Sequence, residues 1–376
     1  MADALTDVLI VGGGIMGTSA AFFLRQRGKS VRLLERGQVG QQASGVNYGN
    51  IRRQGRHLSQ LPLANRAREI WGRLPELVGD DCDFLPSGHL RVGYRPEVVG
   101  QYEEYAARAR EHGLDLELLT PAMLRARFPY LGAGITAGSY SPRDGHANPR
   151  LVSPAFARAA KALGADVREH TEVLSLGKRG DDFEAVTAAG ESFRAPVLLV
   201  TTGAWSAPLA RDFGEPVPLE THGPQMAVTE PAPYTILPSL GVSTPVVAES
   251  VYLRQIPRGN VILGGGTRGP AFPETRRARV EPRNTLAQFG QFLRLVPCLA
   301  PLNIIRVWTG IESYLPDDQP IMGPSARVSG LFYAFGFCGH GFQIGPGVGD
   351  VMAELIATGA TTTPIEPFSI RRFAAT

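Results

Sequence analysis

The chain is organised around a glycine-rich turn between two apolar segments near its amino end. We predict a strand over 8–11, a helix over 15–28 and a second strand over 30–34 that ends at the acidic residue Glu35. The turn has the spacing G-x-G-x-x-G and is formed by Gly12, Gly14 and Gly17. Strand, tight turn, helix, strand and acid in this order form the dinucleotide-binding fingerprint of a Rossmann-type α/β domain.

Each part of this fingerprint has a physical role. Gly12 permits the tight turn, Gly14 lets the backbone approach a pyrophosphate, and Gly17 allows the helix to pack closely on the strand. The N–H groups and the dipole at the start of the helix favour a bound phosphate. Glu35 can accept hydrogen bonds from ribose hydroxyls. The fingerprint alone predicts an adenine dinucleotide and leaves both FAD and NAD(P) open.

Length and composition are ordinary for a globular enzyme. The 376 residues allow two domains and a large core. A net charge of +3 without a basic run argues against a nucleic-acid-binding protein. No apolar run reaches about twenty residues and no basic region precedes the first strand, so we expect a cytoplasmic protein without a membrane span.

The three cysteines and the histidines do not indicate a metal site. Cys82, Cys298 and Cys338 form no C-x-x-C motif, and no His, Asp or Glu cluster has metal-ligand spacing. We expect Cys82 and Cys298 to be buried packing residues, and Cys338 to be a small buried residue in a turn. His89 and His146 are isolated in the sequence: His89 is predicted to be structural, and His146 is predicted to be part of the turn over 141–149.

The hydrophobic pattern changes along the chain and predicts two domains. Between residues 216 and 310, frequent prolines and alternating segments indicate a mostly antiparallel sheet. Apolar strands that run into glycine-rich turns, as at 195–205 and 331–347, are typical of a parallel sheet with ligand loops. We expect the last turn to lead into a helix over about 348–357. We assign 1–80, 145–215 and 311–376 to the dinucleotide-binding domain, and 81–144 and 216–310 to a second domain that would bind the substrate.

This layout resembles the FAD-dependent D-amino-acid oxidase (DAO) family, which includes glycine oxidase, sarcosine oxidase, D-amino-acid dehydrogenase and hydroxyproline dehydrogenase subunits. The resemblance covers nearly the whole chain. Five stretches carry it: Gly12–Gly17 with Glu35, Ala43–Arg52, Asp144–Pro149, Thr202–Ser206 and Gly336–Gln343. The last stretch, Gly-Phe-x-Gly-His-Gly-Phe, is characteristic of the family and favours FAD over NAD(P). The segments 308–317 and 367–373 are most similar to the hydroxyproline-dehydrogenase-like branch.

The resemblance implies a two-domain α/β protein in which a Rossmann-type FAD-binding domain lies beside a mostly antiparallel substrate-binding sheet. Backbone N–H groups over 339–343, or the amino end of a helix near Val348, would stabilise negative charge on reduced flavin. The residues expected to bind FAD are Gly12, Gly14, Ile15, Met16, Gly17, Glu35, Arg36, Ala43, Ser44, Gly45, Asn47, Gly49, Asn50, Ile51, Val173, Thr202, Gly203, Trp205, Gly310, Gly339, His340, Gly341, Phe342 and Gln343.

Three positions depart from relatives in the family. Gly310 stands where monomeric sarcosine oxidase has the cysteine that links to flavin, so we expect FAD to be bound non-covalently. Gln343 replaces the lysine that binds the substrate carboxylate in sarcosine oxidase. Glu312 replaces the corresponding arginine of glycine oxidase. Both familiar carboxylate anchors are therefore absent.

Four residues are the predicted catalytic set. Arg52, in the position of an arginine against the flavin, would favour reduced flavin or bind a carboxylate. Tyr252 matches a substrate-contacting tyrosine of glycine oxidase, and Arg254 lies on the same strand face and is the best replacement for the lost anchors. His340 would donate to the flavin or organise its turn. Arg53 and Arg56 are predicted to lie on the surface.

These observations predict an enzyme that oxidises the C–N bond of an amino or imino acid to an imine by hydride transfer to flavin N5. We expect a secondary amine with a carboxylate, such as a proline derivative or an N-alkyl glycine. The alternatives are 2-hydroxy-acid oxidation, a flavin-binding subunit of a hetero-oligomeric dehydrogenase, and a pyridine-nucleotide dehydrogenase. Oxygen or a redox partner would accept the electrons, and the branch resemblance also implies a small partner subunit.

Overall fold

The computed structural model describes residues 5–374. Its helices are α1 Ile15–Gln26, α2 Ala43–Val46, α3 Leu61–Trp71, α4 Leu74–Val78, α5 Val98–Arg110, α6 Pro121–Arg127, α7 Pro149–Ala162, α8 Ser206–Asp212, α9 Pro282–Leu295 and α10 Gly341–Thr358. Its strands are β1 Val8–Val11, β2 Val31–Leu34, β3 Asn50–Ile51, β4 His89–Gly93, β5 Glu117–Leu119, β6 Ala137–Ser141, β7 Gly145–His146, β8 Asp166–Arg168, β9 Val173–Arg179, β10 Asp182–Thr187, β11 Ser192–Ala195, β12 Val197–Val200, β13 Glu220–Pro231, β14 Ser239–Val242, β15 Val251–Gln255, β16 Asn260–Phe272, β17 Arg277–Ala278, β18 Ile304–Thr309, β19 Glu312–Tyr314, β20 Ile321–Pro324 and β21 Leu331–Phe335.

The fingerprint lies in a six-stranded sheet with the order β20-β21-β12-β1-β2-β8. From β21 to β8 all neighbours are parallel, and β20 joins the edge in the antiparallel direction. Residues of β1 alternate between two cores because successive side chains of a strand point to opposite faces. Val8 and Ile10 pack with α1, α7 and α10, whereas Leu9 and Val11 pack towards the small sheet β11-β10-β9. This arrangement confirms the predicted Rossmann-type α/β fold.

A second sheet, of ten strands, forms one wall of the active-site region. Its main path is β18-β13-β16-β15-β14-β4-β6-β5, with β17 and β19 paired at the side. Among its pairs only β14 and β4 run parallel. Apolar residues of β15 and β16, such as Val251 and Leu263, face a core that α9 covers. The mostly antiparallel sheet predicted from the sequence is therefore confirmed.

The sheets can be compared with the predicted domain segments. Every strand of the six-stranded sheet falls in a segment predicted for the FAD-binding domain. The ten-stranded sheet takes its strands from 81–144 and 216–310, but also includes β19, which pairs with β13 and starts after the predicted boundary at 311. The division into two domains stays a prediction.

Helix α10 begins seven residues earlier than the sequence predicted. We expected it from about Val348, but it starts at Gly341. Its glycines are packing positions rather than a turn: a Cβ on Gly349 would lie 2.1 Å from a side chain of α1, and one on Gly347 would lie 2.8 Å from a side chain of α3. Close helix–helix contact explains why a glycine-rich segment is helical here. Within residues 5–374, no helix has the length and apolar character needed to cross a membrane.

Candidate active site

A cavity of about 480 Å³ lies where loops at the carboxyl ends of β1 and β12 meet the ten-stranded sheet. This volume is within the usual range for cofactor and substrate sites. The predicted site residues that line it are Gly14, Ile15, Met16, Ala43, Ser44, Asn47, Gly49, Asn50, Arg52, Gly203, Tyr252, Gly310, Gly339, His340, Gly341, Phe342 and Gln343. The predicted residues that do not line it are Gly12, Gly17, Glu35, Arg36, Gly45, Ile51, Val173, Thr202, Trp205 and Arg254.

Two helix amino ends face this one cavity. Gly14 precedes α1 and Gly341 begins α10, and both residues line the wall. Unpaired N–H groups at helix starts favour anions. The turn before α1 needs glycine, because Gly12 has φ +110° and a Cβ on it would lie 2.5 Å from a carbonyl oxygen. The geometry gives one anion-binding end for a pyrophosphate and another for a charge that develops inside the cavity.

The loop after β2 closes one side of the cavity. Ser44 Oγ accepts a hydrogen bond from the Ile15 N–H at 2.9 Å. The Asn47 side chain donates to the Ala43 and Ser44 carbonyls and accepts from the Gly49 N–H. These bonds hold the loop in one shape. The side-chain oxygen Asn50 Oδ1, by contrast, is buried and has no hydrogen-bond partner among residues 5–374.

Three residues predicted to bind FAD, Glu35, Arg36 and Trp205, lie outside the cavity lining, after the carboxyl ends of β2 and β12. The Glu35 carboxylate accepts hydrogen bonds from the Gly13 and Gly37 N–H groups at 2.7 and 2.8 Å. The Arg36 guanidinium stacks over the Trp205 ring at 3.9 Å. The residues present therefore fit FAD: glycine backbone for the pyrophosphate, an ordered carboxylate for ribose, and an unsatisfied amide oxygen in the wall.

Arginine side chains dominate the charge of the cavity wall. Arg52, Arg56, Arg91 and Arg268 line it, and none of them forms an ion pair with a described residue. Burial lowers the pKa of Arg52 to about 10 and that of Arg56 to about 9, and neighbouring guanidinium groups add to both shifts. Both side chains stay protonated at neutral pH. Arg56 is buried and Arg52 and Arg91 are half-buried, whereas Arg268 is exposed. A cation removed from water without a counterion is costly, so the first three arginines suit the wall to an anionic ligand.

His340 lies among these arginines at the start of α10. Its Nδ1 accepts from Arg52 Nη2 at 3.2 Å, and its carbonyl accepts from Arg56 Nη1 at 3.0 Å. Burial and then the nearby arginines hold its pKa well below the usual range. Because a guanidinium only donates, Nδ1 is the acceptor and Nε2 carries the proton of the neutral ring. His340 is thus a neutral donor, and Arg52 fixes its tautomer.

A tyrosine-rich group surrounds Glu312 on the ten-stranded sheet. The Tyr314 hydroxyl donates to Glu312 Oε2 at 3.0 Å, and Arg268 stacks over the Tyr314 ring at 3.6 Å. Tyr252 lines the same wall, and burial raises its pKa, as does the nearby Glu312 charge. Burial also raises the pKa of Glu312. Among the described residues that line the cavity, Glu312 is the one with a carboxylate.

A family model for FAD-dependent oxidoreductases, DAO, matches residues 7–355. The chain belongs to the FAD-dependent oxidoreductase (DAO) family. Glycine oxidase of Geobacillus kaustophilus is 27% identical over 375 residues, with 97% of each chain covered. Sarcosine oxidase subunit beta of Arthrobacter sp. is 26% identical over 98% of this chain and 91% of the relative. The crystal structure of L-proline dehydrogenase from P. horikoshii has a TM-score of 0.91 at 28% identity, with 98% of each chain covered.

Membership of the DAO family decides two of the sequence predictions. The cofactor is FAD, so the pyridine-nucleotide dehydrogenase alternative is wrong. The protein is an enzyme of the FAD-dependent amino-acid and amine oxidase or dehydrogenase class. The roles assigned to single residues stay predictions, and the structure places some of these residues better than others for contact with a ligand.

The placement of Arg254 corrects the sequence interpretation. Although it shares a strand with Tyr252, it does not line the cavity. Its Nε donates to the Tyr48 carbonyl at 2.8 Å, and its Nη1 donates to His146 Nδ1 at 3.0 Å. The aromatic contact between Tyr48 and Tyr252, with ring centroids 4.8 Å apart, lies beside it. Arg254 therefore braces the loop behind the site and is not placed to meet a substrate carboxylate.

Three predictions about burial were wrong. Cys298 is exposed, whereas Cys82 is buried as expected. Arg53, predicted at the surface, is buried and forms an ion pair with Asp144 at 2.9 Å. Arg56, also predicted at the surface, is buried beside His340. The two arginines follow β3, a strand too short to be recognised in the sequence, which carries them into the interior.

Sequence reasoning missed Arg91 and Arg268 as site residues. Arg91 lies on β4 and donates to Ser243 Oγ at 2.9 Å, while Arg268 lies on β16, a 13-residue strand. Both strands look like ordinary alternating segments, and nothing local separates these arginines from others on the protein surface. The available signal was the alternation itself, which would have placed each arginine on the polar face of its strand.

Proposed function

We propose that the enzyme oxidises the C–N bond of a carboxylated secondary amine, such as a proline derivative or an N-alkyl glycine, to an imine. The observation that supports this most is the set of arginines without ion pairs in a cavity that also meets the FAD-binding loops. A substrate carboxylate is the counterion that such a wall accommodates best. The names of two relatives, sarcosine oxidase subunit beta and L-proline dehydrogenase, support a secondary amine with a carboxylate, and the name of glycine oxidase supports an amino acid more broadly.

The carboxylate anchor is reassigned by the geometry. Arg52, Arg91 and Arg268 are the candidates, with Tyr252 as a neutral donor from the same wall. The Arg91 side chain has one hydrogen bond within residues 5–374, to Ser243, and so retains donors for a ligand. These groups bind and orient the substrate, which converts an encounter in solution into a reaction within one complex. When bound, FAD supplies the oxidising power by accepting two electrons and a hydrogen from the substrate carbon.

Two further points belong to this proposal. A partner subunit is a reasonable expectation because a relative of similar length is a sarcosine oxidase subunit. The acceptor that reoxidises the cofactor is oxygen or a redox partner. The cytoplasmic location predicted from composition is likewise part of the proposal.

The test is an anaerobic substrate panel with the purified chain, scored by bleaching of the flavin absorbance. The panel contains N-methylglycine, L-proline, hydroxyproline, glycine, D-alanine and L-lactate. We expect a secondary amine with a carboxylate to reduce the flavin fastest. Fastest reduction by lactate would support the 2-hydroxy-acid alternative, and no reduction by any compound would favour a flavin-binding subunit without catalysis of its own.

A further inference from the structure

One acidic side chain stands in a cavity wall that is otherwise cationic. Glu312 is the sole carboxylate among the described residues that line the cavity, against four arginines. It occupies β19, next to Gly310, and is partly exposed towards the cavity. A carboxylate in this position weakens the binding of an anion. Its presence therefore requires an explanation beyond the recognition of the substrate carboxylate.

The surroundings keep Glu312 ordered without neutralising it. Tyr314 donates to it from the same strand, and the Gly339 N–H and the Arg268 charge favour its ionised form. No ion pair of Glu312 occurs among residues 5–374. The other titratable groups around it are Tyr252 on β15, His222 on β13, Cys338 after β21 and, elsewhere in the cavity wall, Arg52, Arg56, Arg91, His89 and His340.

The chemistry of amine oxidation offers a role for a carboxylate in this place. Amines are mainly protonated at neutral pH, since ordinary ammonium pKa values lie at about 8 to 10. An ammonium nitrogen has no lone pair with which to form the C=N bond. A site that binds the prevailing cationic form must therefore remove one proton from it before the C=N bond can form. The arginines cannot do this, and His340 already accepts from Arg52 and carries its own proton on Nε2.

We propose that Glu312 binds the ammonium group of the substrate and accepts its proton. In this step one N–H bond breaks, an O–H bond forms on Glu312, and the electron pair stays on nitrogen, ready to form the imine. The proton later leaves to solvent as product departs. This inference rests on the proposed function, since it needs an amine substrate. It makes Glu312 a catalytic residue and explains an acid beside the arginines: the cavity is complementary to a zwitterion.

The electrostatics around Glu312 agree with this role. Burial raises its pKa, which makes the carboxylate a stronger base than one in water. Tyr314, Arg268 and the Gly339 N–H oppose the shift, because each of them favours the ionised form. A general base works best when its pKa lies near the working pH.

The first experiment measures charge recognition with a matched pair of unreactive ligands. Trimethylglycine and 3,3-dimethylbutanoate have the same shape and carboxylate, but only the first carries a positive charge. Binding is followed by the change in flavin absorbance. We expect wild type to prefer trimethylglycine by about tenfold or more, and Glu312→Gln to lose this preference. An unchanged preference in Glu312→Gln would overturn the proposal.

The second experiment measures the pH profile of kcat/KM. In wild type the ascending limb should follow the Glu312 carboxyl group. In Glu312→Gln the value at pH 7 should fall by roughly 10²- to 10⁴-fold, and the limb should move to the pKa of the substrate amine. An amine of lower pKa should restore much of the loss. Superimposable wild-type and Glu312→Gln profiles would contradict the role of Glu312.

A second variant keeps the proposal testable if Glu312→Gln fails to retain FAD. Tyr314→Phe preserves the carboxylate but removes a donor that favours its ionised form. We expect the ascending limb to move to higher pH, and an unmoved limb would count against the assignment. The two levels of inference fail differently. If no carboxylated amine bleaches wild-type flavin, the proposed function is wrong, whereas normal bleaching with an unaltered Glu312→Gln profile rejects only the base.

Discussion

The two sides of the cavity are built from different parts of the chain. On the side predicted to bind FAD, the wall is formed largely by backbone: the glycine turn before α1, the amino end of α10 and the loop over 43–50. On the substrate side it is formed by side chains of separate strands, such as Arg91 on β4 and Glu312 on β19. We expect backbone geometry to determine which cofactor binds, and a few side chains to determine which substrate binds. Few substitutions should be tolerated on the FAD side. Substitutions on the substrate side should change substrate specificity with less effect on folding.

The largest effect is expected at Gly14. A Cβ there would lie 3.0 Å from Ser44 Oγ, at the amino end of α1 where the pyrophosphate approaches. Gly14→Val should fold but purify without yellow colour. Gly290→Val is the matched control, because a Cβ on Gly290 in α9 meets nothing within 4 Å. A folded, fully yellow Gly14→Val protein would show that the fingerprint is not the FAD site.

Whether FAD is bound covalently also depends on residues of the FAD side. Gly310 has no nucleophile, and a Cβ there would lie 2.2 Å from Val46. Cys338 lines the cavity, but burial raises the pKa of its thiol to about 11, so the thiolate is scarce at neutral pH. Acid precipitation should release all of the flavin into the supernatant. Flavin that stays with the pellet would mean that the bond is covalent.

Substitution of the candidate carboxylate anchors tests the substrate side of the cavity. A charge-assisted hydrogen bond contributes about 1.5–3 kcal/mol, so loss of the anchor should lower kcat/KM roughly 10- to 150-fold. Arg52→Met, Arg91→Met and Arg268→Met are compared on the best panel substrate, together with Tyr252→Phe. At least one should show this loss while the protein keeps its FAD. Near-native kcat/KM in all four variants would leave the carboxylate without an anchor in this cavity.

Arg254→Met serves as the comparison for those variants, because Arg254 lies behind the cavity wall and does not line it. Arg254→Met leaves the Tyr48 carbonyl and His146 Nδ1 without their donor. The free energy of unfolding should fall by about 1–3 kcal/mol, while kcat/KM of the protein that remains folded changes less than threefold. Urea denaturation and steady-state kinetics check the two halves. A large loss of kcat/KM without a loss of stability would return Arg254 to the site.

The smallest effect concerns the pH dependence of stability. Burial, followed by the Arg254 charge, lowers the pKa of His146 to about 3, against about 6.5 in the unfolded chain. Between these values the unfolded state binds more protons, so stability falls as pH drops below about 6.5. His146→Gln should reduce this slope by at most about 1.4 kcal/mol per pH unit. Equal slopes for the variant and wild type, from urea denaturation at pH 7 and 5, would contradict it.

The FAD side of the cavity could be predicted from the sequence better than the substrate side, for a physical reason. A tight turn, a helix start and a strand each depend on residues that are close together in sequence. The segment from Gly12 to Glu35 could therefore be assigned from its own residues. Strand pairing is not local: β4 joins β14 and β6, and only that register brings Arg91 to the cavity. The same limit explains Arg254, whose strand face was predicted but whose depth behind Tyr48 was not. The glycines of α10 led to one wrong prediction, the start of the helix, because close helix packing and tight turns both need glycine.

One measurement tests the central claim that the cavity recognises a carboxylated amine. The purified enzyme is mixed anaerobically with the best secondary-amine acid of the panel and, separately, with its primary amide. The two ligands keep the oxidisable C–N bond and differ in the carboxylate that the arginines are proposed to hold. We predict that the acid bleaches the flavin at least about tenfold faster per unit concentration. Equal rates, or faster bleaching by the amide, would contradict the account.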